Sequence, residues 1–149
     1  MNLFRSSRDG LEVSTFEQRV YNQGATLSLF KTTGGKVCGG FTSISWQKAD
    51  DFTAKNDSEA FLFNLTTKYP VKDPSGAIMH YKNGVNYGFC HLLFNVTSGT
   101  KFGTFKCDSE NKKYFEIVND ANGINPLNGK KDKENVNYDE LEIYKIIFL

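Results

Sequence analysis

Apolar and polar positions alternate along this chain in short runs, and their period predicts the elements. Phe16 and Val20 stand four apart, and Ser14 with Glu17 fits a capping box, so a short helix is predicted here, stopped by Asn22 and Gly24. From Thr26 to Thr32 the period drops to two, with Leu27 and Leu29 on one face, and Gly34-Gly35 turns the chain back. The returning run, Lys36 to Trp46, carries Gly39 and Gly40, and glycine inside a strand marks a bulge or the close approach of another backbone. Gln47 to Ser58 is polar and reads as an exposed loop. Ala60 to Thr66 is almost continuously apolar, the pattern of a strand covered on both faces.

Pro70 and Asp73-Pro74-Ser75-Gly76 mark a turn, and Asn83-Gly84 is a hairpin signal after a short strand from Ala77 to Tyr81. Further strands are expected at His91 to Val96, Phe102 to Phe105 and Tyr114 to Val118, then a surface loop from Asn119 to Asn135. A central strand from Leu141 to Phe148 closes the chain. Many short strands, one good helix and no βαβ rhythm predict a mainly β fold, a two-sheet antiparallel sandwich with a few short helices. The 149 residues form a single domain, 1–149.

Composition narrows the function more than the fold. Eighteen basic against 17 acidic side chains argue against a duplex nucleic-acid binder, which carries a strong basic excess. Three arginines, Arg5, Arg8 and Arg19, crowd the first 20 residues, where a solvated helix flank is preferred over a binding patch. No apolar run reaches the ~18 residues of a membrane span, so no direct membrane insertion is expected. Three cysteines without a CxxC pair describe no disulfide framework, and a reducing, cytoplasmic location is expected. Sequons at Asn56, Asn64 and Asn95 carry little weight beside that.

Catalytic chemistry is hard to find. Neither His80 nor His91 stands in a nucleophile or metal motif, and the glycines at 34, 35, 39 and 40 lack the lysine and helix of a phosphate loop. Cys90 and His91 are neighbours on a strand and so point to opposite faces. No cysteine pair has zinc-ligand spacing, and no cofactor is expected. Cys38 and Cys90 lie in apolar strands. Cys107, beside Lys106, is the best candidate for a redox thiol.

The order of segments resembles the TLDc domain family of oxidation-resistance proteins. Ser6-Ser7-Arg8-Asp9-Gly10, the short helix and Gly24-Ala25-Thr26-Leu27 are similar to its S-R-D-G, helix, G-x-T-L opening. Gly35 to Trp46 is similar to its G-x-x-F-G-G-Y-T-S-x-x-W strand, Asp57 to Leu65 to its D-x-x-A-F-L-F-x-L strand, and Leu141 to Ile146 to its closing I-E-V-[YWF]-x-[VIF] strand. The matches place Arg8, Asp9, Gly39, Gly40, Trp46 and Glu142 at family-motif positions. Where the family has a carboxylate after a glycine-rich run, this chain reads Tyr87 to Leu93 without one.

The resemblance implies a β-sandwich that acts by binding proteins, in protection from oxidative stress or in regulation of the vacuolar-type proton ATPase, whose subunits become candidate partners. Two other readings stay open: a thiol-dependent antioxidant enzyme resting on Cys107, and a structural subunit of a large, for example cytoskeletal, assembly. Glu142 sits in an otherwise apolar strand, where a carboxylate needs a partner. A structural role, pairing with a base or backbone N–H groups, is favoured over a catalytic acid.

Overall fold

The computed structural model describes residues 1–81, 86–89, 92–95, 103–107 and 114–149. The Asn83-Gly84 hairpin signal, Cys90 and His91 lie outside the described residues. In chain order the elements are β1 (Asn2–Arg5), α1 (Ser6–Asp9), α2 (Val13–Val20), β2 (Thr26–Thr32), β3 (Val37–Thr42), β4 (Phe52–Lys55), β5 (Phe61–Asn64) and β6 (Lys68–Pro70). Then come β7 (Ile78–Tyr81), β8 (Asn86–Phe89), β9 (Leu92–Asn95), β10 (Gly103–Cys107) and β11 (Val136–Lys145).

Every strand pair is antiparallel, along the path β4-β7-β8-β9-β10-β11-β2-β3-β5-β6. The path folds over on itself into the two layers of a β-sandwich. Gly40 of β3 lies against the ring of Phe89 of β8, and Phe30 of β2 packs 5.1 Å from Phe105 of β10. The longest strand, β11, joins the layers. One edge pairs with β2 along most of its length; the other pairs with β10 through Val136–Tyr138 and with β1 through Glu142–Tyr144. Its central position agrees with the sequence, though it starts at Val136 and not at Leu141.

Helix α2 buries Phe16 and Val20 as the period requires, with Phe16 edge-on to Phe4 at 5.2 Å. The capping box does not form. The helix starts at Val13 with Glu12 at the cap and no side-chain cap bond, because the Phe16 N–H is already taken by the Glu12 carbonyl and Ser14 falls inside the first turn. The SRD segment also forms a helical turn of its own, α1.

Strand β2 keeps its bounds, but its inward face carries Thr26, Ser28, Phe30 and Thr32, while Leu27 and Leu29 are half-buried on the other side. The expected cover over both faces of β5 is also absent. Leu62 is buried, but Phe61 and Phe63 are half-exposed because no described element crosses the outer face of β3 and β5. Strand β3 ends at Thr42, short of Trp46, where Asp57 accepts bonds from the Thr42 hydroxyl and the Ser43 N–H.

The expected loop after Trp46 contains the exposed edge strand β4, paired to β7. The expected strand at Tyr114 to Val118 is only a single bridge from Phe115 to Val71, although Phe115 and Ile117 are buried. The loop from 119 to 135 is stapled inward: Asn125, Leu127 and Asn128 are buried, and the Asn125 side chain accepts the Leu127 N–H at 2.9 Å.

Candidate functional site

The N-terminal residues build a charge cluster along the edge of β11. Register sets Arg5 directly across from Glu142, with Nε 3.1 Å from the carboxylate, and the Tyr144 hydroxyl donates to the same group. One residue pair further, the Ser6 hydroxyl and the Ser7 N–H both donate to Glu140 at 3.0 Å, and the Leu141 N–H donates back to Ser6 Oγ at 2.9 Å. Asp9 accepts from the Arg5 N–H at 2.9 Å and from Arg8 at 2.7 and 2.8 Å, with Arg19 at 3.6 Å.

The electrostatics follow from these bonds. The hydrogen-bonded Arg8 guanidinium holds the Asp9 carboxyl below the usual range, against the opposing effect of burial. For Glu140 burial works upward, but the bonds from Ser7 and Ser6, with Arg5 nearby, leave it lowered. The three arginines therefore do share one patch, as their crowding in the sequence allows, but each faces a carboxylate. Glu142 has the geometry of a paired carboxylate. The cluster ties the N-terminus to the last strand.

Gly40 and Trp46 occupy a different place, between the layers, while Gly39 faces the other side of β3, toward Phe63. A Cβ on Gly39 would stand 1.9 Å from the Ser28 carbonyl oxygen, and one on Gly40 would stand 2.4 Å from the Phe89 ring. The close backbone approach the sequence predicts for this strand is found at Gly39; at Gly40 the close neighbour is a ring. Trp46 fills the adjoining space, edge-on to Phe89 at 5.5 Å, with Nε1 donating to Thr26 Oγ1 at 3.0 Å. Beside it lies His80 of β7, 2% exposed, whose Nδ1 meets the Gln47 backbone N–H at 3.1 Å and carbonyl at 3.0 Å.

Asp57 anchors the same region. It is buried, and its carboxylate accepts from the Thr42 hydroxyl (2.6 Å), the Ser43 N–H (2.8 Å), the Ser43 hydroxyl (2.6 Å) and the Glu59 N–H (3.1 Å). Sequence reasoning did not single out Asp57, Glu140 or His80 as sites. For Asp57 the available signal was a carboxylate heading an apolar strand; nothing local marks the other two.

An apolar concavity lies on the outer face of the second layer. It is a groove of about 570 Å³ lined by Leu27, Phe41, Phe61, Ile146 and Phe148, with Ser43, Glu59 and Lys68 completing the rim. Phe41 stacks on Phe61 at 5.1 Å and meets Phe148 edge-on at 6.5 Å, while the Lys68 ammonium sits 4.3 Å over the Phe61 ring. Phe148 is 74% exposed. An open apolar groove with a charged rim fits a contact face.

Among the described residues the thiols lack the access that redox chemistry requires. Cys107 is fully buried, so the exposure expected of a redox thiol beside Lys106 is not found. Its strand turns the side chain inward: β10 buries Gly103, Phe105 and Cys107 in alternation. Cys38 is also buried, and burial pushes its thiol up to about 12. Among the described residues no group of three His, Cys, Asp or Glu side chains is placed to hold a metal ion, and no helix is long and apolar enough to cross a membrane.

The sequence profile of the TLDc domain matches residues 1–147. The chain belongs to the TLDc domain family. Among curated proteins, it is 31% identical over 111 residues to the MTOR-associated protein MEAK7 of Xenopus laevis, covering 68% of this chain and 24% of that protein. To the MTOR-associated protein MEAK7 of Gallus gallus it is 27% identical over 154 residues, covering 97% of this chain and 31% of that protein. The chain thus spans less than a third of the length of these relatives. Within this TLDc domain the motif residues do not converge on one point. Arg8, Asp9 and Glu142 join through Arg5 at the edge of β11, Gly40 and Trp46 pack the interior around Phe89, and Gly39 lies against Ser28 and Phe63.

Proposed function

We propose that this TLDc domain is a protein-interaction module whose contact face is the groove of Phe41, Phe61 and Phe148. The observation that carries this reading is the groove itself: apolar at its base, bordered by one acid and one base, and open. It suits a partner segment that inserts a large apolar side chain and sets charges against Lys68 and Glu59. Both relatives described above are named as MTOR-associated proteins, which supports an associating role for those longer proteins. A role in oxidative-stress protection and contact with subunits of the vacuolar-type proton ATPase are the finer parts of the proposal and rest on the family alone; a cytoplasmic location rests on the three cysteines without a CxxC pair.

The test is a pull-down from the native cell at low salt, with wild type beside Phe61→Asp and Phe148→Asp. Phe148 is 74% exposed and Phe61 lines the open groove, and urea unfolding of each variant beside wild type checks that the fold is kept. Recovery of proton-pump subunits by wild type, reduced at least tenfold by either variant, is the expected result. Recovery of neither these subunits nor any other stoichiometric partner overturns the proposal. Equal recovery by all three proteins moves the contact face elsewhere.

A further inference from the structure

We propose that His80 is a proton-operated latch: its neutral ring holds the Gln47 backbone against β7, and protonation releases the segment around Trp46. The ring is 2% exposed and bonded through Nδ1 alone, while Nε2 is buried with no hydrogen-bond partner among the described residues. Each neutral tautomer meets one Gln47 backbone group and leaves Nε2 unpaired but uncharged. With the proton on Nε2, Nδ1 accepts the Gln47 N–H; with the proton on Nδ1, it donates to the Gln47 carbonyl.

The imidazolium suits it badly. Both nitrogens then donate: Nδ1–H keeps only the Gln47 carbonyl, the Gln47 N–H has no acceptor, and a positive charge is buried with Nε2–H unpaired, so what protonation adds is a buried, incompletely bonded charge. The charged residues that line one cleft with His80 are Lys55 of β4, and Lys48 and Asp50 of the segment between β3 and β4. Of these, Lys55 acts on the ring and repels the imidazolium. Burial, then, with Lys55 in the same direction and the Gln47 backbone bond opposing, lowers the ring's pKa from 6.5. The free energy of the latch is therefore intact above about pH 6.5 and is lost as pH falls through the lowered value. Thr53 sits opposite His80 in the β4–β7 register and contributes no charge.

The molecule carries its own reporter, since Trp46 is its one tryptophan and its ring lies 5.8 Å from that of His80. The experiment follows the intact protein from pH 7.5 to 5 by tryptophan fluorescence, by the ring NMR signals of His80, and by amide exchange expressed as protection factors. The expected result is a reversible transition in both ring signals with a shared midpoint below 6.5. Across it the Gln47 amide loses at least tenfold protection while the β2–β11 amides keep theirs. His91→Gln retains the transition and His80→Asn, which keeps a side-chain polar group near Gln47, removes it. Unchanged protection at Gln47, or loss there in step with β2–β11, overturns the latch. So does a His80 midpoint at or above 6.5. These readings need only wild type, so they stand if His80→Asn fails to fold.

Discussion

Adding a methyl group at Gly40 tests the packing between the two layers. Backbone entropy alone favours alanine over glycine in a strand by ~0.5–1 kcal/mol. Sterics oppose it: the new Cβ would lie 2.4, 2.6 and 2.8 Å from three atoms of the Phe89 ring. Phe89 is fully buried and wedged against Trp46 at 5.5 Å and Phe115 at 6.4 Å, so the ring has no open side into which to swing. Overpacking of this kind costs ~1–3 kcal/mol and outweighs the entropy gain, leaving Gly40→Ala destabilised by about 1–2 kcal/mol.

The neighbouring glycine meets a different obstacle. At Gly39 the closest atom is the Ser28 carbonyl oxygen at 1.9 Å, which belongs to the β2–β3 ladder and cannot rotate away. Gly39→Ala must push two strands apart and lose ladder bonds, about 3 kcal/mol or more. Phe89→Leu separates the two cases. It should relieve Gly40→Ala, giving a double variant about 1–2 kcal/mol more stable than additivity predicts, and should leave Gly39→Ala additive. Urea unfolding with matched m-values measures wild type, the three single variants and the two double variants. Additivity of Gly40→Ala with Phe89→Leu, or a Gly40→Ala protein as stable as wild type, would refute the packing described here.

Other variants probe the remaining contacts. Asp57→Ala strands four donors, one of them within the core, and should cost about 3 kcal/mol or more in the same urea assay. Glu142→Ala removes the acceptor of Tyr144 and the partner of a half-exposed Arg5, so screening limits its cost to about 1 kcal/mol; an unchanged melting temperature with lost partner binding would instead make Glu142 a contact residue. Because the Asp9 and Glu140 carboxyls are lowered in the folded state, the stability they contribute is present above their unfolded values of about 3.8 and 4.5 and is lost as pH falls further; Glu140→Gln should flatten that acid limb in thermal melts. Iodoacetamide should label Cys107 far more slowly in the folded protein than in urea, and equal rates would restore the thiol reading.

The sequence by itself determined the elements whose signal is local. The helix over Phe16 and Val20, the β2–β3 hairpin at Gly34-Gly35 and the Asp73–Gly76 turn each rest on a period or a turn residue within a few positions, and each forms. The close approach at Gly39 and Gly40 was legible for the same reason, since a missing side chain is visible without knowing what fills the space. Only the tertiary structure decided which face of a strand turns inward. Thr26 and Ser28 take the core side of β2 and leave Leu27 outside because Trp46 offers Thr26 a hydrogen bond and because Ser28 lies against the glycines of β3. Continuous apolar runs such as Phe61 to Phe63 report that both faces are apolar, but not that both are covered. The open groove, the pairing of Arg5 with Glu142 across 137 positions of chain and the contact of His80 with Gln47 all join residues far apart in sequence, and local pattern carries no record of such distances.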